Sequence, residues 1–294
     1  MENIKISKQI YLLFAFFLAY SFSALLQLEN AANILSAAIL LISFAIIHYS
    51  LIDNSKSRGS KGGWFNKYNS AWKLLALSIL WWALADILWA VFAIIFTRKP
   101  EEMDLFLYLY TVPNILMAIA AIVFLVNQRQ RWNFLILLLD ASVTVIDSVG
   151  VIWILFFRSL ESTVDLFDPV IVSTSIYIIS DAVVITCIFI WLMSIRVRKA
   201  PPAGHIIAAA VLIYSVTDLF YGYALFENLY IPNTLIDVIY MLYILLITTG
   251  ISMAVKHNVK ALPPADTIEN LKTNRKVLLL LLRKQQSLST AIRS

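Results

Sequence analysis

Charge is scarce in this chain. Only 14% of its 294 residues are charged, against about 25% in an ordinary soluble domain. With 61% hydrophobic residues, a water-soluble globule is excluded, because its apolar runs could not all be covered. Cysteine is nearly absent: Cys187 stands alone, so no intramolecular disulfide can form. Histidine occurs three times and never with carboxylates at metal-ligand spacing. There is no HExxH, no CxxC and no Ser-His-Asp order. No catalytic centre, metal site or cofactor is therefore expected. Glycine is also rare, and the Gly62-Gly63 pair lacks the spacing of a phosphate loop.

What the chain has instead is long apolar runs. Eight are of spanning length: approximately 9–28, 31–52, 71–97, 105–126, 133–157, 169–195, 205–226 and 234–256. In a bilayer such runs must be helical, since open backbone groups find no partner there. The expected fold is an all-α integral membrane bundle of eight transmembrane helices, residues 1–256, followed by a cytoplasmic helical tail, residues 257–294.

The basic residues orient it. Segments 1–8, 53–73, 127–132, 196–204 and 256–294 hold 20 of the 23 Lys and Arg residues. The opposite loops hold only Arg98, Lys99 and Arg158, and carry acids such as Glu101, Glu102, Asp104 and Glu161. The positive-inside rule then places both termini in the cytoplasm. The expected location is the cell membrane, crossed several times. The basic loop 53–70 reads as a topology signal in contact with anionic lipid heads, and no nucleic-acid partner is expected.

After the last span, Pro263-Pro264 breaks the chain and Asp266, with Glu269 three residues on, opens a new helix. Ile268, Leu271, Leu278 and Leu282 fall near one stripe of it. That helix either lies on the membrane surface or pairs, with a second copy or with a signalling partner.

Acids inside the spans are the unusual feature. Asp86, Asp140, Asp147, Asp181, Asp218 and Asp237 all lie within apolar runs. Each costs about 2.5–3.5 kcal/mol at mid-bilayer if ionised and alone, on the order of 15–20 kcal/mol together. They must face the bundle interior or a wet cavity, accept hydrogen bonds, or carry a proton. Trp82 and Trp89 flank Asp86 four residues before and three after, so all three share a helix face. Tyr214, Asp218 and Tyr221 repeat that spacing 132 residues later. Asp104 and Tyr110 are matched by Asp237 and Tyr243, 133 residues on. This predicts a 4+4 parallel internal duplication, pseudo-repeats at about 9–126 and 133–256, with an axis along the membrane normal.

The candidate ligand-binding residues are Asp86, Trp82, Trp89, Asn114, Asp147, Asp181, Tyr214, Asp218, Tyr221, Asp237 and Tyr240. Carboxylates beside aromatic faces suit a small cation or amine. The bland alternative is that each acid only hydrogen-bonds a neighbouring helix and specifies packing.

The series Leu84-Ala85-Asp86-x-x-Trp89, Leu139-Asp140, Tyr177-x-x-x-Asp181 and Asp218-x-x-Tyr221, followed by Tyr230 and Asp237, resembles a known type of module. It is similar to the multi-helix N-terminal sensory membrane modules of bacterial diguanylate cyclases and related signalling proteins, including some histidine kinases. The resemblance covers roughly residues 70–255. It implies a membrane input module without an assigned ligand. Here about 38 residues follow the last span, and Ser180 precedes Asp181 with no proline nearby. The expectation is a stand-alone relative or the membrane portion of a longer protein.

The expected function is a membrane sensory or signalling input module, not an enzyme, that binds a small molecule in an outward-facing acidic and aromatic pocket. A ligand-biased shift of helix packing would pass to the tail. The alternatives are a small-molecule or proton-coupled transporter that uses the aspartates, and a structural membrane scaffold.

Overall fold

A computed structural model describes residues 8–57, 70–127, 167–194, 202–227 and 229–261, with Val143 and Gly150. Among the described residues there are seven helices long and apolar enough to cross a membrane, and no strand. They are α1 (Lys8–Leu25), α2 (Glu29–Ser57), α3 (Ser70–Ile94), α4 (Asp104–Asn127), α5 (Pro169–Ser194), α6 (Pro202–Phe226) and α7 (Leu235–Ala261). A short 3-10 turn, Pro100–Glu102, precedes α4. The expected fifth span at 133–157 and the tail beyond Ala261 lie outside the described residues.

The helix ends follow local chemistry. α1 closes with Gln27 at φ 56°, and the Leu28 N–H reaches back to the Ser23 carbonyl at 2.8 Å. This left-handed closure turns the chain straight into α2. α3 ends alike: Thr97 has φ 47°, and the Arg98 N–H donates to Phe92 at 3.1 Å. Asp168 caps α5 by accepting from the Val170 N–H at 2.8 Å, with Pro169 at the first helical position.

Pro113 inside α4 supplies no N–H, which frees the Leu109 carbonyl four residues earlier. The Trp81 Nε1–H of α3 donates to that carbonyl at 3.1 Å. Ser78, one turn before Trp81, donates to the Pro113 carbonyl at 2.8 Å. α3 thus supplies the partners that a proline in an apolar environment requires.

Each helix from α1 to α4 packs on its chain neighbour, α4 packs on α5, and α5 on α6. α7 is the most enclosed: 61% of its apolar span is buried, against 28% for α1. Its Ile244, Ile247 and Ile251 join Leu13, Ile39, Ile47, Ile79 and Val211 in one core. Gly250 lets α7 approach α6 closely, since a Cβ there would stand 2.6 Å from the Ile207 Cγ1 and 3.4 Å from the Ala203 carbonyl. Outward faces stay apolar, with Tyr11, Phe14, Leu18 and Phe22 of α1 and Leu212, Val216 and Phe220 of α6 exposed. A face of that kind suits lipid rather than water.

Candidate functional site

All seven helices contribute to one cavity of about 90 Å³. That is several times the space a single water needs. It occupies one half of the bundle, nearest the connections 26–28, 95–103 and 227–234. α1 and α2 bring Tyr20, Asn33 and Ser36; α3 brings Trp82, Asp86 and Trp89; α4 brings Tyr110, Pro113 and Asn114. α5 brings Tyr177, α6 Tyr214, Asp218 and Tyr221, and α7 Asp237, Tyr240 and Met241. The loop between α6 and α7 adds Tyr230, Pro232 and Asn233.

The three acids are held differently. Asp86 is buried and accepts from the Tyr110 hydroxyl at 2.8 Å, with Ser36 and Trp82 beside it. Asp218 is buried more deeply and bridges two helices: its Oδ2 accepts from the Asn114 amide at 3.0 Å, its Oδ1 from the Tyr240 hydroxyl. Tyr214 donates to the Asn114 oxygen, which completes a chain from α6 through α4 back to α6. Asp237 is half-buried and accepts from Tyr230 at 3.1 and 3.3 Å and from the Thr234 N–H at 3.4 Å. It sits at the start of α7, so part of its role is to cap that helix. Burial, then the adjacent Asp237, keeps the Tyr230 phenol well above its usual range, so it stays a neutral donor.

Rings form the rest of the wall. Trp82 meets Tyr240 edge-on at 5.7 Å and Tyr214 at 6.2 Å, and stacks near Tyr243 at 6.4 Å. Trp89 lies 6.1 Å from Tyr110. Tyr221 meets Tyr230 at 4.9 Å and Tyr240 at 6.1 Å. Among the described residues no Lys, Arg or His lines the cavity, and the described lining is acidic, hydroxylic and aromatic. Chemically it can accept hydrogen bonds from an ammonium group and stack a cation on its rings.

Nine of the eleven sequence candidates line this cavity: Asp86, Trp82, Trp89, Asn114, Tyr214, Asp218, Tyr221, Asp237 and Tyr240. Asp181 does not; it is buried one layer behind, against Asp218. Asp147 lies outside the described residues, as does Asp140. The repeat partners diverge in their bonds. Tyr110 donates to Asp86, but its sequence match Tyr243 donates to the Met117 sulfur at 3.0 Å, and Tyr240 serves Asp218 instead. Asp104, the match of Asp237, is exposed.

Sequence reasoning missed Tyr20, Asn33, Ser36 and Asn233. The signal for α2 was present: Asn33, Ser36, Ser43 and Ser50 recur at intervals of three and seven, and all four are buried. Asn233 had no such signal. It takes φ 58°, donates to Asn33 at 2.9 Å and receives a long bond from Tyr20 at 3.5 Å, tying the loop to α1 and α2. Comparison with family models, with characterised proteins and with solved structures finds no match, so the sensory resemblance rests on its short motifs alone.

Proposed function

We propose that this is a multi-pass protein of the cell membrane that binds a small organic cation or amine in its acidic and aromatic cavity, as the input site of a signalling system. The observation that carries the reading is the lining itself. Asp86, Asp218 and Asp237 meet a wall of Trp and Tyr, with no basic side chain among the described lining residues. Ionised carboxyls so placed lack a counter-charge, and a cation supplies one.

The cavity faces outward if the basic segments are cytoplasmic, because it lies at the end that carries Glu101, Glu102 and Asp104. The full count is eight spans with a 4+4 duplication. Support for the eighth comes from direction. Tyr177, early in α5, donates to the carbonyl of Leu107, early in α4, at 3.4 Å. Two packed helices that start at the same end require one further crossing between them. α7 begins at the cavity and the tail follows it in sequence, where self-association or a signalling partner would read the change.

The test is equilibrium binding to purified protein in nanodiscs, followed through the fluorescence of Trp82 and Trp89. Tetramethylammonium should bind and quench, and its neutral isostere tert-butanol should not. Equal response to both would remove charge from the account. A companion flux assay in liposomes separates sensing from carriage: binding without tetramethylammonium flux supports the input site, and flux supports the transporter.

A further inference from the structure

A second site sits one layer behind the cavity. Asp181, on α5, is 5% exposed, and neither of its carboxylate oxygens has a hydrogen-bond partner. Its carboxyl lies against that of Asp218 and beside the Ser215 hydroxyl, which is itself buried without a partner. Asp218 is already occupied on both oxygens, by Tyr240 and by Asn114. Among the described residues the titratable groups facing the pair are Tyr177 from α5, Tyr214 and Tyr221 from α6, and Tyr240 and Tyr243 from α7. α4 faces it with Asn114, which does not titrate. These groups donate hydrogen bonds but bring no positive charge.

Two ionised carboxyls side by side repel each other, and neither Asp181 oxygen has a donor. A single proton relieves the repulsion. Placed on Asp181, it donates to Asp218. The pair carries one negative charge instead of two.

We propose that Asp181 and Asp218 form a proton-binding site, holding one exchangeable proton between them. Asp218 lines the cavity and Asp181 does not, so the proton is stored behind the wall that a ligand would touch. A cation seated beside Asp218 replaces the proton as counter-charge, and the proton leaves to water. This exchange step rests on the reading of the cavity as a cation site. The proton site itself does not.

Infrared spectroscopy of the ligand-free protein in nanodiscs tests the site directly. The expected result at neutral pH is a protonated-carboxyl C=O band that shifts down in D2O and loses the intensity of about one carboxyl in Asp181→Asn. An Asn side chain can donate to Asp218 in place of the proton, so this variant keeps its fold. Absence of the band, or unchanged intensity in Asp181→Asn, overturns the proposal. Tetramethylammonium, with binding read separately by tryptophan fluorescence, should then remove that intensity and release about one proton into a weakly buffered medium. Binding that leaves the band intact overturns the exchange. If tetramethylammonium does not bind, the cation reading falls and the exchange with it, while the band still decides the proton site.

Discussion

Asn114 is the residue on which the site's order depends, because it satisfies two partners at once. It donates to Asp218 and accepts from Tyr214, and it is 2% exposed. Asn114→Leu fills similar space but strands a carboxyl and a phenol. Each stranded buried group costs about 1–3 kcal/mol, so thermal unfolding in nanodiscs should show a clear loss of stability. Asp237 predicts the reverse. Its main bonds are to Tyr230 and the start of α7, and an amide oxygen can accept both. Asp237→Asn should cost under about 1 kcal/mol, and Asp237→Ala about 0.5–1.5 kcal/mol for each bond lost to Tyr230 and the Thr234 N–H. At this scale the sequence was legible where acids and rings recur at helical spacing, as at Asp86 and Asp218. At Asn233 the Pro232-Asn233 pair does announce a left-handed turn, but the reach of that loop to Asn33 and Tyr20 is tertiary and was not legible.

Among the described helices, α7 is the most buried. At Gly250 it lies close to Ala203 and Ile207 of α6. Gly250→Val should force the two helices apart or displace Ile207, at about 1–3 kcal/mol for an overpacked contact. Gly250→Ala should cost less because it adds only the Cβ, which would already stand 2.6 Å from the Ile207 Cγ1 and 3.3 Å from the Ile207 backbone N. Melting temperatures of the two variants, ranked Gly, Ala, Val, check this. Element existence was readable from apolar run length, and the observed ends of α2, α3, α4, α5, α6 and α7 fall within a few residues of the expected spans at one end or both. What run length could not show is how an interrupted helix is repaired. The donation from Trp81 to the Leu109 carbonyl that Pro113 frees is a tertiary event that depends on α3 lying alongside.

For the whole molecule, topology and charge decide what the cavity can meet. Single cysteines at Lys99 or Asn228, in a Cys187→Ala background, should react with an impermeant maleimide in intact cells. Those at Ser57 or Arg198 should react only after lysis. Reversal at one pair would mean a span fewer or more than eight. The central claim is that the cavity recognises positive charge through its carboxyls. The most direct measurement is calorimetric titration of the nanodisc-embedded protein with tetramethylammonium, set beside the same titration of Asp86→Asn and Asp218→Asn. These substitutions keep shape and one accepting oxygen while removing charge; at Asp218 the new amide nitrogen faces Tyr240 or Asn114, both of which donate to the native carboxylate, so folding is checked beside binding. Both folded variants should bind with an affinity lower by at least about 10-fold, because one ion-pair attraction, up to about 4 kcal/mol at ~4 Å and an effective dielectric of about 20, is lost. Parental affinity in both folded variants would contradict the claim, and would leave the aspartates as packing groups between helices.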